Sequence, residues 1–344
     1  MSVFTLPQAV KEEVLLKDLS ELVDHHRDRC EPYARILAAN GYSSASSIAE
    51  LPWLPVRLFK NLELKSIPDD EVFKVLTSSG TTGEVSRIYL DKAAAATQTR
   101  QLGATVQSVL GPKRLPMLLI DTKAMLKDRR SFSARGAGVL GMSTFGRDHV
   151  WALDNDGHVD LDAIRGFLAK HGDAPFLIFG FTYLVWLHLY EVARDNGLDL
   201  SQGILIHSGG WKKLVDQAVS PSDFRARLAE VGLVNTHNFY GMVEQIGTIF
   251  LEGPSGGSLY CPDFADVIVR DPVTWRELPP GEPGLLEVVS TLPTSYPGHV
   301  LLTEDLGVVH GIDDGDWPGK HFSVLGRLPR AEARGCSDTY REAA

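Results

Sequence analysis

Residues 77 to 83 read Thr-Ser-Ser-Gly-Thr-Thr-Gly, five hydroxyl side chains and two glycines in seven consecutive positions. They follow the strand-like run EVFKVLT. Glycine lets backbone amides turn inward around an anion, and hydroxyls add further donors. Thr77, Ser78, Ser79, Gly80, Thr81, Thr82 and Gly83 are therefore a candidate phosphate cradle; the competing reading is a polar surface loop. It is not a Walker loop, because no Gly-Lys pair ends it. A second group lies in NFYGMVEQ, where Tyr240, Gly241 and Glu244 fall at a predicted strand end. A carboxylate beside a phosphate loop can hold Mg²⁺, and an aromatic ring there can cover a nucleobase or an acyl group. Taken alone, Glu244 also reads as a charge at a helix N-terminus. Asp305, in LLTEDLG, is expected after a strand, placed to accept from ribose hydroxyls or to serve as a turn aspartate. Cys336 stands eight residues from the last residue given, in EARGCSDTYREAA. A thiolate beside Arg334 would be a good nucleophile; the bland alternative is an incidental cysteine.

The elements that must position these residues are legible in outline. Residues 8 to 50 alternate charged and apolar groups at helical spacing, which predicts two helices with a break near Glu31-Pro32. LPWLPVRLFKNLEL reads as extended and proline-punctuated. KAAAATQTRQLGATVQSVL is strongly helical, and DLDAIRGFLAKHG and FRARLAEVG are amphipathic. LPMLLIDT and PFLIFGF are short continuous apolar runs, as in strands buried on both faces of a parallel sheet. GILIHSGG and VNTHNFYG are strands ending in glycine. From about residue 257, short strands separated by Pro/Gly turns predict an antiparallel portion. The chain thus reads as α/β with a β-rich later part. Its expected parts are a helical segment over 1–65, an α/β core over 66–256, a β-rich subdomain over 257–327 and a tail over 328–344.

Composition narrows the function classes. The chain has 344 residues, 44% hydrophobic and 23% charged, with a net charge of −10. That acidity disfavours non-specific binding to nucleic acid or a membrane surface. PFLIFGFTYLVWLHLYEVA is interrupted by polar residues and reads as a strand running into a helix, not a membrane span. No secretory leader is evident at the start. Three cysteines without CxxC spacing argue against a disulfide framework or a structural zinc, and the expected location is cytoplasmic. Phe179, Phe181, Tyr183 and Trp186 can wall an apolar pocket or simply fill a core. His207 reads equally as a polar pocket residue or a satisfied core histidine.

With these residues in hand, the chain resembles the adenylate-forming superfamily, and within it the LuxE acyl-protein synthetase family. TSSGTTG corresponds to the superfamily's phosphate loop, and YGMVE to its YGxTE motif, with Val243 in place of threonine. Asp305 in TEDLG corresponds to the ribose-binding aspartate, and Gly326-Arg327 to the motif at the domain hinge. IHSGGWKKL, FGFTYLVW, SYPGHVLLTEDLG and GRLPRAEARGCS carry the closer LuxE character. The resemblance implies an α/β N-terminal domain with parallel and mixed sheets, a smaller antiparallel β subdomain, and a truncated C-terminal lid. It implies ATP and Mg²⁺ as cofactors and a two-step reaction. A carboxylate attacks the α-phosphate of ATP to form an acyl-adenylate, and a nucleophile then takes the acyl group and releases AMP.

In that scheme residues 77 to 83 hold the β- and γ-phosphates and Glu244 holds Mg²⁺. Tyr240 lines the adenine or the acyl side of the pocket, Gly241 lines the nucleotide, and Asp305 and Arg327 flank ribose and phosphates. Phe181, Trp186, His207 and Gly209 face the acid. The superfamily's catalytic lysine lies in the missing lid, so its cation is sought among Lys212, Lys213 and Arg334. Lys212 is the first choice, although both lysines can also simply begin a solvated helix. LuxE-like proteins are acylated on a cysteine near the C-terminus, a position Cys336 matches. The expected activity is activation of a fatty or aryl acid, transfer to Cys336, and delivery to a partner such as an acyl reductase. The alternatives are direct transfer to a small amine, CoA or a carrier protein, and a non-catalytic nucleotide-binding subunit.

Overall fold

A computed structural model describes residues 2–78, 85–126, 134–211 and 218–328. By its internal contacts the chain divides into two compact units. Of the described residues, the first comprises those up to 108, 240–253 and 258–328; the second comprises 109–239 and 254–257.

The first unit opens with α1 (Gln8–Arg29) and α2 (Glu31–Ala39), broken at Cys30 ahead of Pro32 as the sequence predicts. On α1, Gln8, Lys11, Leu15, Leu19, Val23 and His26 are buried, a stripe at three- and four-residue spacing. Its first turn has no local side-chain cap. Instead the Gln8 N–H donates to the Asp313 carboxylate at 3.0 Å, a distant anion at the positive end of the helix. The stretch expected to be wholly extended contains β1 (Leu54–Pro55) and a single helical turn, α3 (Leu58–Asn61). Pro55 falls before that turn, so no proline blocks it. The hairpin β2 (Lys74–Thr77) and β3 (Arg87–Leu90) flanks the Ser/Thr/Gly segment and leads into α4 (Lys92–Leu110).

The second unit is a five-stranded parallel sheet. Its strands are β4 (Leu115–Thr122), β5 (Gly146–Leu153), β6 (Phe176–Phe181), β7 (Gly203–Ser208) and β8 (Asn235–Tyr240), in the order β8-β7-β6-β4-β5. Every residue of β6 is buried, which is why its sequence is a continuous apolar run. Helices α5 (Ala134–Ser143) and α6 (Leu161–His171) precede β6. After β6 the chain forms α7 (Thr182–Val185), a π-helical turn over Trp186–Tyr190, and α8 (Glu191–Asn196). Helix α9 (Pro221–Glu230) precedes β8, with Ser220 accepting from the Asp223 N–H as its N-cap.

The remaining strands return to the first unit. They are β9 (Phe250–Glu252), β10 (Leu259–Tyr260), β11 (Ala265–Arg270), β12 (Gly284–Ser290), β13 (Val300–Ile312) and β14 (Lys320–Arg327), ordered β11-β12-β13-β14-β10-β9 and antiparallel throughout. β1 adds to β13 in parallel. The sequence predicts short strands here, yet β13 runs unbroken for 13 residues. Asp305 therefore lies inside a strand, not after one. The polar pair Glu304-Asp305 reads as a turn in isolation, but both residues are ion-paired, with Arg57 and Arg327 respectively, and the strand continues through them with a register shift against β12.

Two buried histidines link α1 to the segment before β13. The His26 and His299 rings lie 4.9 Å apart. His26 Nδ1 meets Ser66 Oγ at 2.7 Å, and Nε2 meets the Pro293 carbonyl at 2.9 Å. Burial pulls His299 down to about 3, and burial followed by His299 itself lowers His26, so both are neutral near pH 7. The unfolded chain takes up these protons first. Stability is therefore complete above about pH 6.5 and falls with decreasing pH by ~1.4 kcal/mol per unit for each ring. The melting temperature should drop between about pH 7.5 and 5.5, the two rings outweighing the opposite slope of Glu287, which burial raises to about 7; a profile that rises toward pH 5.5 would contradict neutral burial.

Cys30 and Cys261 are buried free thiols, and burial raises both above the ordinary thiol range.

Candidate active site

In the first unit the polar motif residues converge on β13. Tyr240 is where the chain re-enters this unit, and its hydroxyl donates to Asp305 Oδ2 at 2.7 Å. Arg327, the last residue of β14, donates from Nε to Asp305 Oδ1 at 3.2 Å. The two strands pair Asp305 directly with Arg327, so the ladder register sets this contact. Burial first, and the Asp305 charge second, hold the Tyr240 hydroxyl well above its ordinary pKa, so it acts as a donor. Its ring stacks edge-on with Phe322 and leans on Phe250.

Glu244 lies four residues beyond Tyr240, in the 3₁₀ turn Val243–Gln245, and is 5% exposed. Gln245 anchors that turn by donating to the carbonyls of Val288 and Gly298 at 3.1 and 2.9 Å. Gly241 and Gly247 let the flanking chain pack closely. A Cβ on Gly241 would meet the Thr248 carbonyl at 3.0 Å. Gly247, at φ +87°, lies against the backbone of Gln98 in α4, where a Cβ would meet Gln98 Cα at 2.8 Å.

Thr77 ends β2, and the Ser78 hydroxyl accepts from the Ser86 N–H at 2.9 Å, closing the hairpin at its last described rung. Ser79, Gly80, Thr81, Thr82 and Gly83 lie outside the described residues, as do Lys212, Lys213, Arg334 and Cys336. No cluster of three or more metal-ligating side chains occurs among the described residues.

The second unit holds the residues proposed to face the acid, at the carboxyl ends of parallel strands, where open α/β sheets bind ligands. Phe181 closes β6 and is 3% exposed. Thr182 Oγ1 is 3.0 Å from His207 Nδ1, one strand over. Burial, then Arg225 and His237, pull His207 down to about 3, so its ring is neutral. Gly209 adopts φ +86° immediately after β7. Trp186, in the π-helical turn, packs edge-to-face on Trp211 at 5.4 Å and stacks on Phe224 at 6.1 Å. Phe224 also contacts His207 at 4.9 Å.

Sequence reasoning missed Thr182, Trp211 and Phe224 as partners of His207 and Trp186, and missed the buried Arg135–Asp121 ion pair at the end of β4. An arginine shortly after a strand-terminal aspartate was the only available signal for that pair.

The fold is that of a 2-hydroxyisobutyryl-CoA ligase crystallised in its postadenylation state with 2-HIB-AMP. The TM-score is 0.74 at 17% identity, over 95% of this chain and 70% of that one. In sequence, the chain is 24% identical over 355 residues to the long-chain-fatty-acid–luciferin-component ligase of Aliivibrio fischeri, covering 95% of this chain and 88% of that protein. Its counterpart in Vibrio harveyi is 24% identical over 316 residues, covering 84% and 76%. The protein is an adenylate-forming ligase. A family model described as acyl-protein synthetase, LuxE, matches residues 3–344. The chain belongs to that family. Among its described residues, no helix is long and apolar enough to cross a membrane.

Proposed function

We propose that this chain activates a carboxylic acid with ATP and passes the acyl group first to the Cys336 thiol and then to a partner protein. In the first step a carboxylate oxygen bonds to the α-phosphorus as the bond to pyrophosphate breaks. In the second the Cys336 sulfur bonds to the acyl carbon as AMP leaves. The observation that carries the reading is the Tyr240–Asp305–Arg327 trio, with buried Glu244 on the following turn of the same unit.

The donor set fits a nucleotide. Each Asp305 oxygen has one partner in the trio, and a carboxylate oxygen accepts two, so both retain capacity for ribose hydroxyls. Arg327 brings a permanent positive charge beside them. Tyr240 fixes the carboxylate's orientation and, with Gly241, borders the base. Thr77, Ser78 and the rest of the loop to Gly83 would wrap the phosphates. Glu244 would hold Mg²⁺, which when bound neutralises phosphate charge and lets two anions approach. Lys212 is the cation proposed for the α-phosphate. Phe181, Trp186, neutral His207 and Gly209 would border the acid without placing a charge against an apolar chain. The luciferin-component ligases named above favour a long-chain fatty acid as the substrate, and an acyl reductase as the partner follows from the same reading.

The test is an intact-protein mass spectrum after incubation with ATP, Mg²⁺ and a pool of fatty and aryl acids. The expected result is an acyl adduct that neutral hydroxylamine removes and Cys336→Ser lacks; its mass names the acid. Acid-dependent AMP formation without an adduct would overturn the Cys336 step and direct the search to CoA, an amine or a carrier-protein thiol.

A further inference from the structure

Two residues before Asp305, the buried Thr303 stands where β13 changes partners. On one edge, parallel β1 pairs with β13 as far as Leu302, and antiparallel β14 takes over only at Asp305. On the other edge the β12 register slips. Glu287 pairs with Leu302 and Leu285 with Leu306, so Leu286 alone faces Thr303, Glu304 and Asp305. A bulge of this kind re-aims the side chains it carries and takes backbone groups out of the ladder.

At this bulge the Thr303 hydroxyl stands in for the ladder. It donates to the Leu286 carbonyl at 2.7 Å and accepts from the Asp305 N–H at 3.1 Å. The Asp305 carbonyl, at 3.5 Å, is too far to compete for the single hydroxyl proton. One oxygen thus ties the β12 backbone to the backbone of the aspartate itself. The Asp305 carboxylate is held separately, by Tyr240 on one oxygen and Arg327 on the other. Main chain and side chain are therefore fixed by different partners, and the hydroxyl is what sets the main chain.

Resting on the reading of Asp305 as the acceptor of ribose hydroxyls, we propose that Thr303 is its positioning residue: the hydroxyl fixes the bulge in the register that turns the Asp305 carboxylate toward ribose. A threonine that only fills a buried strand position predicts something different. Valine has the same shape, so its loss of the hydroxyl would change stability and leave the recognition of ribose hydroxyls as it was.

The experiment is equilibrium binding of ATP, 2′-deoxy-ATP and 3′-deoxy-ATP, with Mg²⁺ and without acid, to the full chain and to its Thr303→Val, Thr303→Ser and Asp305→Asn variants. The parent should prefer ATP over at least one deoxy analogue by about ten-fold. Thr303→Val should bind ATP about ten-fold more weakly than the parent and no better than it binds that analogue. Thr303→Ser, which keeps the hydroxyl, should retain the preference to within about two-fold. If the valine variant does not fold, Thr303→Ala carries the same comparison. A preference kept without the hydroxyl, even at a lowered melting temperature, would overturn the role of Thr303 alone. A preference kept in Asp305→Asn, or absent from the parent, would instead overturn the reading of Asp305, and the proposal with it.

Discussion

Asp305→Asn is expected to cut acid-dependent pyrophosphate release by about 10²-fold or more, because it weakens two hydrogen bonds to a charged group, each worth ~1.5–3 kcal/mol. The side chain keeps its shape but loses its charge and one acceptor. Tyr240 Oη and Arg327 Nε both donate to this carboxylate from opposite oxygens. An amide can accept from only one of them and turns its NH₂ toward the other. Because the Tyr240 hydroxyl can also accept, the amide turns its oxygen to Arg327 and its NH₂ to Tyr240, which leaves the permanent charge of Arg327 against a neutral oxygen on the same rung of the ladder. Ribose hydroxyls meet the same defect, so the loss should appear mainly as a raised KM for ATP. Pyrophosphate release and ATP binding measure it directly. A variant that keeps most of its activity would remove Asp305 from the nucleotide site.

Glu287→Leu should be the most destabilising of the substitutions considered, lowering unfolding free energy by about 3–5 kcal/mol, because it strands a buried arginine. Arg270 and Glu287 are 4% and 0% exposed and pair across β11 and β12. Arg270 also donates to the Trp275 and Ala49 carbonyls at 2.8 and 2.7 Å, so the guanidinium is fully engaged. Removing the acid leaves a cation with no neutral form. Removing the base is different. Burial already raises Glu287 to about 7, against the pull of Arg270, and without that pull the carboxyl goes higher still. A raised carboxyl is stable while protonated and loses stability as pH rises through its folded value. Arg270→Leu should therefore cost less than Glu287→Leu near pH 5.5 and approach it near pH 8 (about 2.5 units apart). Urea unfolding at both values tests this. Equal costs at both would mean that burial does not hold the stranded carboxyl protonated near pH 5.5.

The same physics explains what the sequence concealed. β4 and β6 were legible because strands covered on both faces must be apolar along their length. The two N-terminal helices were legible because α1 keeps its buried stripe at helical spacing and Pro32 follows the break. β13 was not, because Glu304 and Asp305 interrupt its apolar pattern. Their compensating partners, Arg57 and Arg327, lie 247 and 22 residues away and carry no local signal. Likewise YGMVE shows a tyrosine and a glutamate four apart, while the Tyr240 hydroxyl in fact serves a carboxylate 65 residues on. The π-helical turn at Trp186 is invisible to a 3.6-residue pattern. The packing of Trp186 on Trp211 and Phe224 is fixed only once β6, β7 and α9 are assembled.

The burial of Cys30 and Cys261 has a practical side. Of the three cysteines in the chain, two are sealed in the interior and held as thiols. An alkylating reagent applied under native conditions finds both silent, and denaturant is what brings them into the count. The folded protein thus carries its own internal blank. Any thiol titre of the native chain above a background near zero belongs to Cys336, and the rise on unfolding calibrates that value in the same tube.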